Sequence, residues 1–247
     1  KEGDSVLIQP PVYYPFFEVI RDNNRKIVES PLLLTDGHYE IDFDDLEEKI
    51  ASQNVKLFLL CSPHNPVGRV WTKEELQKLG ELCDRYHVFV VSDEIHCDFA
   101  FLEHPHTIFA KACPQLEEKM ILCTAPSKTF NLAGLLVSDI IIPNDAIREA
   151  FCKKMAPYYL WPGNFGAVAQ ITAYTEGEEW LEALLAYLKE NAEYIAAFIT
   201  ERMPQVKYRI PEATYLAWLD FRALGMSDEA LWHFMRHEAK VATDNGV

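Results

Sequence analysis

Three polar clusters, each closing an apolar run, hold the residues of this chain whose types could do chemistry. Pro126-Ser127-Lys128-Thr129 follows Met120-Ile121-Leu122-Cys123-Thr124, Ser92-Asp93-Glu94-Ile95-His96 follows Val88 to Val91, and Ser62-Pro63-His64-Asn65-Pro66 follows Val55 to Cys61. The apolar runs have the length of short buried strands. A lysine, an aspartate and an asparagine therefore reach three strand ends, where α/β proteins gather their sites. Lys128, with only small and hydroxyl neighbours, has no ion-pair partner in its own loop and is a candidate amine nucleophile able to condense with a carbonyl. Asp93 supplies a carboxylate, and Glu94 points to the other side because successive strand residues alternate. Taken singly, a Ser-Lys or Asn-Pro pair is most often an ordinary loop; three in order are not.

The elements that must position these groups can be read from the pattern around them. Ser5 to Gln9 reads as a strand closed by Pro10-Pro11, and Phe16, Phe17 and Ile20 have the spacing of a short helix between Tyr14 and Asp22. Arg25 to Glu29 alternates as a strand, Asp36-Gly37 marks a turn, and Asp42 opens an amphipathic helix with Phe43, Leu46 and Ile50 on one face. Thr72 and Glu75 have capping-box spacing before a helix with Leu76, Leu79 and Leu82 on its buried stripe. After Lys128, Val137 to Ile142 reads as a strand, Asn144 caps a helix through Lys154, and a further helix runs from Phe165 to Tyr174. A long amphipathic helix from Glu178 to Met203 follows, then strands at Lys207 to Arg209 and Tyr215 to Leu219, and a helix from Asp228 to Glu238. Alternating strands and helices predict an α/β fold with a mostly parallel sheet covered by helices on both faces. The expected organisation is a large domain over 1–176, a linking helix over 177–203, and part of a smaller α+β domain over 204–247.

The set Pro-His-Asn-Pro-Val-Gly-Arg, Ser-Asp-Glu-Ile-His and Ala-Pro-Ser-Lys-Thr-Phe-Asn resembles the pyridoxal-phosphate enzymes of aminotransferase class I/II (fold type I), and most of all their MalY/PatB branch of cystathionine β-lyase-like C–S lyases. The resemblance runs through nearly all of the chain. It implies pyridoxal 5'-phosphate as cofactor, Lys128 as the residue that holds it covalently and removes the substrate Cα proton, and Asp93 as partner of the pyridine nitrogen. It also implies Asn65 and His96 at the phenolic oxygen, the latter where many relatives carry a tyrosine. An aromatic stacks on the pyridine face in such enzymes, and Tyr13 fits that place better than Tyr14. Relatives commonly carry a phosphate-binding arginine near Leu136. Leu135-Leu136 stand here instead, a departure from the family's phosphate site, and the hydroxyls expected to reach the phosphate are those of Thr124 and Ser127. The implied reaction is α,β-elimination from cystathionine- or cysteine-type amino acids, with aminotransfer as the alternative and an inactive regulatory relative as a third reading. A homodimer is implied as well.

Composition agrees with a small-molecule partner. The chain has 247 residues, 49% of them apolar, and a formal net charge of −15. That charge disfavours nucleic acid and anionic membranes, which call for clustered Lys and Arg, and no apolar run approaches the roughly 20 residues that span a bilayer. The six cysteines have no CxxC spacing and fit reduced thiols in a cytoplasmic protein. His96, Cys97, His104 and His106 match no common zinc spacing. The chain opens on Lys1-Glu2-Gly3 without a methionine and is expected to be a fragment, with the relatives' phosphate-binding helix upstream and their carboxylate-binding arginine downstream.

Overall fold

A computed structural model of the chain describes residues 1–246. The apolar runs form Ser5–Ile8 (β1), Lys26–Glu29 (β2), Leu33–Thr35 (β3), His38–Glu40 (β4), Val55–Cys61 (β5), Phe89–Asp93 (β6), Met120–Thr124 (β7) and Asp139–Ile141 (β8). Six of them make one sheet in the order β2-β1-β5-β6-β7-β8, with β3 and β4 a separate hairpin turning on Asp36 and Gly37. The sheet is parallel except for β8, which pairs antiparallel with β7.

Period-2 alternation decides which residues enter which side of the sheet. Leu7, Phe58, Leu60, Val90 and Leu122 belong to the larger core, and Val6, Ile8 and Cys61 to a smaller one. The helices Phe43–Ser52 (α2), Lys73–Arg85 (α3) and Phe109–Ala112 (α4) pack into the larger core through Leu46, Ile50, Leu76, Leu79, Leu82 and Phe109. Burying each such leucine contributes about 1.5–3 kcal/mol. The helix Pro15–Asp22 (α1) brings Phe16 and Ile20 to the smaller core.

Helix starts follow local chemistry. Thr72 Oγ1 accepts from Glu75 N at 3.1 Å while Glu75 Oε2 accepts from Thr72 N at 2.8 Å, the reciprocal capping box. Asp42 Oδ1 accepts from the N–H groups of Asp44 and Asp45 at 3.2 and 3.0 Å. Asp42→Ala is therefore expected to lower stability by about 0.5–2 kcal/mol, read as a lower urea midpoint with an unchanged slope.

Beyond the sheet lie Asp145–Met155 (α6), Asn164–Glu176 (α7) and Glu178–Arg202 (α8), after a single turn, Pro126–Thr129 (α5). A two-stranded antiparallel pair, Lys207–Tyr208 (β9) with Leu219–Asp220 (β10), and the helix Asp228–His233 (α9) complete the chain. Two expectations are corrected. Lys128 sits in the one-turn helix α5 and not in an open loop, because Pro126 at the first turn presets a helical φ and Phe130 N returns to Pro126 O at 2.9 Å. The strand expected over Tyr215 to Leu219 shrinks to Leu219 at its end, because residues 212–214 bond to the loops after β5 and β6: Glu212 N and Ala213 N to Gly68 O, and Thr214 N to Phe99 O at 3.3 Å.

Candidate active site

Backbone pairing gathers the predicted residues. Asp93 lies in register with Cys61 on one side and Cys123 on the other, so β5, β6 and β7 end side by side, with β1 next to β5. The segment after β1 carries Tyr13, that after β5 carries Asn65, β6 ends on Asp93 with His96 just beyond, and β7 leads into α5 with Lys128. Hydrogen bonds tie these ends together. Tyr13 N donates to Asn65 O at 3.1 Å, Ser62 N to Asp93 O at 3.0 Å and Glu94 N to Cys123 O at 2.8 Å. Thr129 Oγ1 donates to Asp98 Oδ2 at 2.8 Å, which fixes α5 against the turn that follows β6.

The charges are arranged without direct pairing. Burial pushes the Asp93 carboxyl up, against the Ile95 N–H that donates to it at 3.2 Å, with Glu94 adding to the rise and Lys128 opposing it. Neither Lys128 nor Asp93 joins an ion pair among the described residues. His96, only 3% exposed, has its pKa lowered to about 4 by burial and then by the Lys128 charge, so its imidazole is neutral near pH 7. Its Nδ1 is buried without a hydrogen-bond partner among the described residues. Lys128 thus acts electrostatically on both Asp93 and His96.

The remaining candidates are placed less uniformly. Tyr13 is 40% exposed, its ring tilted against Tyr14 and edge-on to Phe16. The Asn65 side-chain amide makes no hydrogen bond among the described residues. Its main-chain carbonyl is the one the backbone holds, accepting from Tyr13 N, and Asn65 N donates to Cys61 Sγ at 3.3 Å. Ser127 Oγ donates to Val137 O at 3.3 Å, and Thr124 closes β7 opposite Asp139. Leu136 has a left-handed backbone (φ 50°) and is 85% exposed.

Supporting groups emerge that the sequence did not single out by role. Glu94, buried behind Asp93, accepts from Ser92 Oγ at 3.0 Å, Phe109 N at 3.0 Å and His106 Nε2 at 2.8 Å, which anchors the end of β6 to α4. His64, with its pKa lowered to about 4 by burial, donates from Nε2 to Pro11 O at 3.0 Å and so joins the Asn65 and Tyr13 segments. Strand alternation is the one signal that separated Glu94 from Asp93. Nothing local distinguished His64 from its neighbours.

A mostly parallel α/β sheet with a lysine, a carboxylate, an amide and an aromatic ring at adjacent carboxyl ends defines a protein of the open-sheet class with its site at the strand ends. The chain belongs to the aminotransferase class I and II family, whose model matches residues 1–246. Among its relatives, cystathionine beta-lyase PatB of Bacillus subtilis is 46% identical over 246 residues, covering 99% of this chain and 64% of the relative. Protein MalY of Escherichia coli is 37% identical over 242 residues, covering 97% of this chain and 61% of the relative. In structure, the chain superposes on cystalysin from Treponema denticola, which contains a pyridoxal 5'-phosphate cofactor, with a TM-score of 0.96 and 44% identity over 99% of this chain and 62% of that one. The chain thus spans less than two thirds of the length of these relatives.

Proposed function

We propose that this chain carries the cofactor site of a pyridoxal-phosphate-dependent C–S β-lyase that cleaves cystathionine- or cysteine-type amino acids. The observation that carries the reading is the convergence of Lys128, Asp93, Asn65, His96 and Tyr13 at neighbouring strand ends in a chain 46% identical to a cystathionine β-lyase.

The donor set fits the group. Among the described residues Lys128 and Asp93 are unpaired with any opposite charge, the Asn65 side-chain amide has no hydrogen-bond partner, and the buried His96 Nδ1 has none either. These are an amine for an aldehyde, a carboxylate for a ring nitrogen, and polar groups for a phenolic oxygen. When bound, pyridoxal phosphate supplies an aldehyde that condenses with amines and a ring that takes up the electron pair left at Cα. In that site the Asp93 carboxylate would keep the ring nitrogen protonated, and Asn65 and His96 would offer polar contacts to the phenolic oxygen. Tyr13 offers an apolar ring face with a polar edge, and Ser127 and Thr124 are the hydroxyls assigned to the phosphate. The Lys128 amine takes the Cα proton. Loss of the Cβ–S bond then yields the thiol, and with one water the remainder becomes pyruvate and ammonia. Residues 1–176 form the cofactor domain in this reading.

The expected result is pyruvate release from cystathionine with no keto-acid acceptor present, followed by coupled reduction of the pyruvate. Strict dependence on an acceptor would make the protein an aminotransferase instead. We read the assembly as a homodimer in the cytoplasm. The run Tyr158 to Trp161 with Phe165, Val168 and Ile171 supports a partner surface because these large apolar side chains are exposed together. Six free cysteines suit a reducing compartment.

A further inference from the structure

The segment that follows α8 returns to the strand-end site and delivers one aromatic ring there. Phe101 N donates to Glu212 O at 3.0 Å, Ala100 and Ala213 form an isolated antiparallel bridge, and Thr214 N donates to Phe99 O at 3.3 Å. Thr214 is buried with φ 75°, a costly conformation for a β-branched residue, and its Oγ1 accepts from Leu216 N at 3.2 Å. This clamped turn aims Tyr215. The Tyr215 ring meets the His96 imidazole at 5.6 Å between centroids and 60°, and meets Phe99 edge-on at 5.2 Å. His96 also leans on Phe99 at 6.0 Å, so the three rings form a closed triangle.

Among the described residues no hydrogen bond fixes the imidazole, whose buried Nδ1 has no partner. Phe99 and Tyr215 are the rings packed against it. Tyr215 itself is 44% exposed and borders a cavity of about 280 Å³ with Phe101, Leu188 and Tyr194, so it is not packed on every side.

We propose that Tyr215 is a positioning residue for His96: its ring, brought back from beyond the long helix, holds the imidazole in the orientation it presents to the strand-end site. This rests on reading that site as the cofactor site, and adds a residue distant in sequence through which the C-terminal part of the chain controls it. Around His96 the charged group that acts on it is Lys128 from α5, and the rings against it are Phe99 and Tyr215.

The test follows the His96 imidazole by NMR titration of the chain without added cofactor. In the wild type it protonates far below the ordinary histidine range, near pH 4. Tyr215→Ala is expected to admit water and raise that midpoint by about one pH unit or more, while Tyr215→Phe, which keeps the ring, restores the wild-type midpoint. Tyr215→Leu serves if the alanine variant fails to fold. A wild-type His96 midpoint in the alanine or leucine variant would overturn the proposal. A second readout is the pH dependence of visible absorbance after adding pyridoxal phosphate. Tyr215→Ala should shift it, and that shift should vanish in a His96→Ala background; a shift of equal size without His96 would also overturn the positioning role. If no visible band forms in the wild type while the His96 titration responds as expected, the cofactor reading fails and the positioning role stands.

Discussion

Lys128→Ala is expected to abolish covalent capture of pyridoxal phosphate and to lower elimination by roughly 10²–10⁴-fold, the loss typical of removing a positioned acid–base group. Borohydride reduction followed by peptide mapping should label the 126–129 segment of the wild type and no lysine of the variant. The Lys128 charge also lowers the pKa of both Asp93 and His96, so alanine alone would confound that charge effect with loss of the amine. Lys128→Arg separates them. The guanidinium keeps the positive charge but gives up no proton near neutrality and forms no such covalent link. The arginine variant should therefore be as inactive as the alanine variant while retaining more of the wild-type Asp93 and His96 environment. A reduced label on a different lysine in the wild type would transfer the role elsewhere.

Arg69→Met is expected to lower stability by about 3–5 kcal/mol, the cost of leaving a buried charge without its partner. Arg69 and Glu212 side chains are 7% and 10% exposed and meet at 3.0 Å, and the Arg69 Nη2 also donates to both oxygens of Glu75. Nη1 reaches the Tyr39 carbonyl. One guanidinium therefore binds the β3–β4 hairpin, the start of α3 and the segment before Tyr215. Removing it strands the Glu212 carboxylate, which still accepts from Val70 N at 2.8 Å. Adding Glu212→Gln should recover part of the loss, because the amide oxygen can keep the Val70 bond without a buried charge. Urea unfolding of the single and double variants checks this. A double variant no more stable than Arg69→Met would mean that the lost packing of the arginine stem, and not the stranded carboxylate, sets the cost.

Much of the frame was legible locally. Leu76, Leu79 and Leu82 repeat at helical spacing and are buried, and the Thr72–Glu75 and Asp42 caps form as their spacing predicted. The strand runs before Asn65, Asp93 and Lys128 formed as parallel neighbours, because short apolar runs alternating with helices have one economical arrangement. The positions of the three residues followed from that alone. Their roles rest on resemblance and on the tests above. Where local reading fell short, distant contacts intervened. The apolar run Tyr215 to Leu219 suggested a strand, but bonds from residues 212–214 to Gly68 and Phe99 divert the chain, and only Leu219 of that run joins a sheet.

The sequence by itself determined the sheet-forming runs, the helix starts and the residues standing at the strand ends, because hydrogen bonds and burial patterns spanning a few residues are written in local spacing. Tertiary structure alone decided that Arg69 meets Glu212 across 143 residues and that Tyr215 closes on His96. No short-range pattern encodes such pairs. They exist only once the sheet, the long helix and the returning segment have fixed one another in space.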